Sequence, residues 1–179
     1  MKKTQIYFIL ATIAIAMSSC KLIDKLTSFN VDYSTTYTIP ATLIPITILS
    51  ANTPDITTNS EETFTNNNTK SDHIQEVLLK KLTLTITSPS GQKFDFLKSA
   101  AVYISADGLP EVQVATIDNI DGSTVGNSIE MNPSGQDLQE YVKKSKITLR
   151  VSSTTDKVVS NDVTVRVDAK FWVNAKLIA

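Results

Sequence analysis

The chain has a single cysteine and a single histidine in 179 residues, and each scarcity closes off a class of chemistry. With only Cys20, no intrachain disulfide can form, so the fold must rest on its core. About 159 residues follow Cys20, a length at which one domain buries enough apolar surface unaided. With only His73, neither a Ser-His-Asp nor a Cys-His system can be assembled without it, and no nucleophile motif surrounds it. It reads as a surface histidine at the start of a helix. A zinc site would have to be built almost wholly from carboxylates. Five glycines are enough for turns and too few for a phosphate-cradling loop. No cofactor is expected.

An excess of positive charge is also missing. The chain carries 17 basic and 18 acidic side chains, and loss of Lys2 and Lys3 with a signal peptide leaves 15 against 18. A nucleic-acid binder normally shows a basic stripe, so that class is disfavoured. Apolar residues make up 41% and charged residues 20%, which fits a globular body with a core.

Long hydrophobic runs are lacking too, except at the start. Lys2 and Lys3 form a positive segment, Ile6 to Met17 an apolar one, and Ser18-Ser19-Cys20 supplies small residues and a thiol. About 12 apolar residues are too few to span a ~30 Å hydrocarbon core, which needs about 20. The pattern is that of a cleavable signal peptide over residues 1–19. Met17-Ser18-Ser19-Cys20 resembles the lipobox of bacterial lipoproteins, with Met17 where leucine is commonest. In this relaxed form it resembles lipoproteins of Bacteroidota. The resemblance implies cleavage before Cys20 and acylation of its thiol; three acyl chains would make anchoring essentially permanent, whereas one would be marginal. It also implies sorting by the residues that follow. Lys21-Leu22-Ile23-Asp24-Lys25 lacks the acidic cluster that marks surface export, which points to the periplasmic face of the outer membrane. Residues 20–28 are then a short tether. The body resembles small all-β lipoproteins of that group only in general character, and brings no catalytic residues with it.

Period-two alternation dominates the rest. Phe29, Val31, Tyr33, Tyr37 and Ile39 alternate with polar residues, as in a half-buried strand. Ala41 to Leu49 is apolar on both parities, as in a strand covered on both faces, with Pro40 and Pro45 pushing it to an edge or bulge. Asn52 to Ser71 is rich in Thr, Asn and Ser, and reads as a long loop or mobile insertion, either solvent-exposed filler or a binding loop. Ser71 or Asp72 caps a helix through Lys80, with Ile74, Val77 and Leu78 on one face. Strands follow at 82–87, 94–96, 101–105, 112–117, 127–131 and 147–152, with a second short helix over 137–144. The last strand alternates from Val163 to Leu177, long enough to need a bend or bulge.

Residues 73–88 and 137–153 echo one another as helix followed by strand. A duplicated unit and two independent helices capping sheet ends both fit. The whole predicts an all-β, β-dominated domain over 29–179, an antiparallel β-sandwich with two short capping helices; a curled single sheet or open barrel comes second.

Glu61-Glu62 and the pair Asp118 and Asp121 are the candidate carboxylate pairs. The first falls in a polar loop, and the second has turn chemistry without full calcium-loop spacing. Trp172 falls on the polar parity of the last strand, with Tyr103 and Tyr141 as further surface candidates. An aromatic on a polar face can stack on a glycan or anchor a protein partner. The expected function is a non-enzymatic binding or structural lipoprotein at the cell envelope, anchored in the bilayer through Cys20. The alternative is a carrier of an apolar or lipid ligand between sheets, which requires an apolar cavity.

Overall fold

The computed structural model describes residues 28–44 and 48–176. Cys20, the signal segment, residues 45–47 and Leu177 lie outside them. Nine strands follow in chain order: β1 (Ser28–Ile39), β2 (Ile48–Asn52), β3 (Ile56–Thr57), β4 (Ile74–Ser88), β5 (Leu97–Ala106), β6 (Leu109–Ile117), β7 (Ser128–Pro133), β8 (Lys146–Thr155) and β9 (Val163–Ala175). Two helices, α1 (Ser60–Asn66) and α2 (Gln139–Val142), and a 3₁₀ turn at Ser71–His73 complete the described elements.

The fold is all-β and antiparallel. The strands run β1-β9-β4-β7-β6-β5-β8-β2, with β3 beside β8. The two halves of the expected sandwich are therefore one curled sheet. β7 joins them, pairing with β4 through Ser128 to Met131 and with β6 through Asn132 and Pro133. Both halves turn their apolar parity inwards onto one core.

β9 shows why the alternation reads so clearly. Val163, Val165, Val167, Ala169, Phe171, Val173 and Ala175 are all buried, and β-branched side chains suit such a pleated, packed surface. β1 pairs with β9 over twelve consecutive positions without a slip. The expected irregularity lies in β4 instead, whose register against β9 shifts at Ile74/Glu76, Leu79/Lys81 and Ile86/Ser88.

Those bulges explain the misread helix at Ser71–Lys80. Apart from the 3₁₀ turn, the segment is strand. The buried residues of β4 are Ile74, Val77, Leu79, Leu82, Leu84 and Ile86, so the inward spacing is three wherever a bulge inserts an extra residue. Spacings of three among apolar residues imitate a helix face. Twelve register pairs with β9 decide for the strand. Residues 137–144 do form a helix, but only the single turn α2. Asp137 holds it: its Oδ1 accepts from the backbone N–H of Val77 at 2.9 Å and of Gln139 at 3.0 Å. The echo does not extend to the structure: before the shared strand, one segment is strand and the other a helical turn.

Two further expectations change. Phe94-Asp95-Phe96 is a buried turn, not a strand; its rings lie 6.2 Å apart and Phe94 N–H donates to the Gly126 carbonyl. The polar stretch 52–71 is no mobile insertion. It carries the end of β2, then β3 and α1, and it lashes the two sheet edges together. Thr53 N–H donates to Leu149 O at 2.8 Å, and Thr53 Oγ1 accepts from Leu149 N–H at 3.1 Å. Thr58 Oγ1 donates to Lys144 O, and Thr58 O accepts from the Tyr33 hydroxyl at 3.0 Å. Thr69 Oγ1 donates to Lys176 O at 2.9 Å. Thr53, Thr58, Ser60 and Thr69 are buried, and so is Phe64. The hydroxyls that read as loop chemistry are staples to main-chain groups.

Tyr33 and Tyr37 on β1 give the domain an alkaline limit. Burial raises the Tyr33 phenol to about 12, and raises that of Tyr37 above its ordinary range as well. A free tyrosine ionises near 10. Above that pH the unfolded chain gives up protons that the folded one keeps, so stability is full below pH 10 and falls as pH climbs towards 12. Tyr33 alone should account for a loss on the order of 2–3 kcal/mol. Denaturant midpoints measured from pH 8 to 12 should fall steeply, and less steeply for Tyr37→Phe. An identical fall in Tyr37→Phe and Tyr33→Phe would clear the buried phenols of responsibility.

Candidate functional site

The outer face of β1, β9, β4 and β7 is a polar platform built from the parity that the core does not use. Register sets its rows: Asn30–Trp172–Leu78, Asp32–Lys170–Lys81, Ser34–Asp168–Thr83–Glu130 and Thr36–Arg166–Thr85–Ser128. Its charges are largely matched, across strands and, for Arg166 and Asp168, along β9. Lys81 Nζ lies 2.9 Å from Glu130, Lys170 lies 3.6 Å from Asp32, and Arg166 Nε donates to Asp168 at 2.8 Å. Desolvation pushes the Asp168 carboxyl up, but hydrogen bonds from Arg166 and Ser34 outweigh it and hold the group below its ordinary range. A shallow groove of about 460 Å³ runs over this face, open to water and lined by Asp32, Ser34, Lys81, Thr83, Arg166 and Lys170.

Trp172 sits at one end of the platform, half-buried, where the parity predicts it. It is covered by a side chain of the same face rather than by a helix: Lys80 Nζ lies 5.1 Å from its ring centre.

The outer face of the other half centres on Arg150. Its guanidinium stacks 4.1 Å from the Tyr103 ring centre and donates to both carboxylate oxygens of Glu111, Nε to Oε1 at 2.9 Å and Nη2 to Oε2 at 2.5 Å. The hydrogen bond from Arg150 holds Glu111 below its ordinary range. The Tyr103 ring is thus half-covered. Tyr141 is not a surface residue: its ring is buried and its hydroxyl donates to Pro110 O at 2.7 Å.

The carboxylate candidates come apart. Glu61 and Glu62 are exposed on the first turn of α1. Asp121 closes its own turn, accepting from Ser123 Oγ at 2.6 Å and from Ser123 N–H at 2.9 Å, and these bonds keep its carboxyl acidic. Asp118 takes no part in that turn's hydrogen bonds. His73 lies half-buried beside the first strand pair rather than open on the surface, and its Nδ1 is buried without a partner. Among the described residues no group of three or more His, Cys, Asp or Glu could hold a metal ion.

A lipid carrier would need a cavity between the two halves. Leu84, Val165 and Val167 from one half, and Val102, Ile104, Val114 and Val151 from the other, are all buried in one shared core.

The feature that sequence reasoning missed is an apolar tip. Among the described residues, the exposed large apolar side chains are Leu43 at 97%, Ile44 at 65%, Ile48 at 75% and Val158 at 44%. Leu43 and Ile44 follow Thr42, whose N–H donates to Val159 O at 2.8 Å and whose Oγ1 accepts from Val159 N–H at 3.1 Å, beside Val158. Ile48 starts β2 at the same end of the sheet, paired with Thr154. The signal for it was present in Pro40 and Pro45. Prolines that close together deny the residues between them a ladder partner, so those residues have no sheet in which to bury.

No helix of the described residues is long and apolar enough to cross a membrane. No protein-family model matches the chain, and no curated protein does. Among solved structures, a chain of turnip yellow mosaic virus is similar at 13% identity, covering 84% of this chain and 98% of its own length, with a TM-score of 0.28. A chain of Desmodium yellow mottle tymovirus is similar at 10% identity, covering 84% and 85%, with a TM-score of 0.27. Likeness at that level carries no argument about fold or function.

Proposed function

We propose that the chain is a lipoprotein of the outer membrane, held through Cys20 and facing the periplasm, that binds a protein partner and does no catalysis. One observation carries the reading: the exposed apolar tip lies at the far end of the module from the point where the tether enters. β1 begins at Ser28, paired with Asn174, and ends at Ile39, paired with Val163. At ~3.3 Å per residue these ends are about 36 Å apart. The loop carrying Leu43 and Ile44 follows Ile39, so the tip points away from the anchored end.

The platforms do not compete for this role. Most of their charged groups are answered by one another, as Lys81 is by Glu130 and Arg150 by Glu111. The tip is unanswered: Leu43 and Ile44 on one loop and Val158 on the loop clasped to it are exposed, and neighbouring exposed apolar side chains mark interaction sites. A tip of this chemistry suits apolar side chains of another protein better than a glycan.

The test is a photo-crosslinking residue placed at Leu43 in intact cells, with Thr36 on the polar platform as its control. Discrete protein adducts are expected from Leu43 and not from Thr36. Replacing Ile44 and Ile48 with serine should reduce them while leaving the thermal midpoint unchanged, because neither side chain is buried. Equal labelling from both positions would sink the proposal.

A further inference from the structure

We infer that Trp172 and Lys80 rest on the headgroups of the same bilayer that holds Cys20. The inference builds on the anchored reading above and adds a contact that orients the module.

Position comes first. From Cys20 to Ser28 the chain spans eight residues, at most about 28 Å when fully extended. Ser28 pairs with Asn174, and Asn30 pairs with Trp172. Trp172 is therefore about 7 Å along the sheet from the residue where the tether enters. The apolar tip is about 36 Å along the same strand. Of the indole and the apolar tip, the indole is the one that the tether brings to the membrane.

The chemistry fits that place. An indole has an apolar body and one polar N–H, and such rings favour the boundary between headgroups and acyl chains. Lys80 reaches over it, with its ammonium 5.1 Å from the ring centre. The neighbouring cations are engaged: Lys81 with Glu130 and Lys170 with Asp32. Among the described residues Lys80 has no carboxylate within ion-pair distance. Its ammonium has three donors and a flexible stem, suited to a lipid phosphate while the stem covers the ring. Lys176, also exposed, adds a second cation at the anchored end. A sugar stacking on the ring face beneath Lys80 would have to displace that ammonium, whereas a phosphate recruits it.

Trp172 is the single tryptophan of the chain, so its emission reports this site alone. The experiment takes the full acylated protein into phosphatidylethanolamine and phosphatidylglycerol vesicles, with and without bromine on the upper acyl chain. A roughly two-fold loss of emission with the brominated lipid, together with a blue shift, is expected for an interfacial ring. If the protein floats with the vesicles yet bromine leaves its emission unchanged, the contact is refuted and the anchor stands. If the protein does not float, the anchor itself has failed and the contact falls with it. A shift seen only on adding soluble peptidoglycan fragments would give the ring to a glycan and overturn the inference.

Discussion

Replacing Phe64 with alanine is expected to cost the domain about 3–5 kcal/mol, measured as a lowered urea midpoint at unchanged slope. Phe64 lies on α1 with 1% of its surface exposed, and its ring meets Phe29 edge-on at 6.3 Å between centroids. The rest of its segment is stitched by hydroxyls: Thr53, Thr58 and Thr69 each bond main-chain groups across the open side of the curled sheet. Phe64 is the large apolar side chain that seats this plug, so its loss leaves a cavity where the segment has little else with which to close it. A loss under about 1 kcal/mol, the range of ordinary surface substitutions, would mean that the segment behaves as the loose loop its composition suggests.

The contrast between that segment and β9 shows what a sequence of this kind exposes to reading. Along β9 each inward position is apolar and each outward one except Trp172 polar, so the pattern and the structure coincide. In residues 52–71 the stabilising groups are Thr and Ser hydroxyls aimed at carbonyls far away in the chain. Their partners, Lys144 and Lys176, cannot be guessed from local composition. β4 fails for a third reason. Its first bulge puts Ile74 and Val77 three apart, and with the outward Leu78 next to Val77 they imitate the spacing of a helix face. The pairing with β9 that overrules the helix is a tertiary fact. The curl was only partly legible, since the joint at β7 depends on two register pairs with β6.

The candidate site divides in the same way. Trp172 follows from parity alone. Its placement close to the entry of the tether needs the β1–β9 register, which runs unbroken from Ser28 to Ile39. The tip was hidden because an apolar run is read as buried by default. Leu43 and Ile44 stay exposed because residues 40–44 form no strand. With the tether at one end and the tip at the other, the module has a direction, and one residue sets it.

Cys20→Ala is therefore expected to have the largest effect on the protein's location while leaving its fold intact. Each buried methylene of an acyl chain contributes about 0.8 kcal/mol to membrane affinity, so a single chain binds only marginally and several bind almost irreversibly. Alanine offers no thiol for the first acyl group, so incorporation of radiolabelled palmitate should vanish and the protein should leave the membrane fraction. The domain's core begins beyond the tether, at Val31 on β1, so the urea midpoint should not move. These readouts separate the roles: a lower midpoint would make the amino-terminal region part of the fold, whereas undiminished palmitate labelling would remove the anchor. Losing the anchor would also remove the argument that sets Trp172 against headgroups and points Leu43 away from them. The spacing along β1 acquires its meaning only once one end of the strand is held at a bilayer.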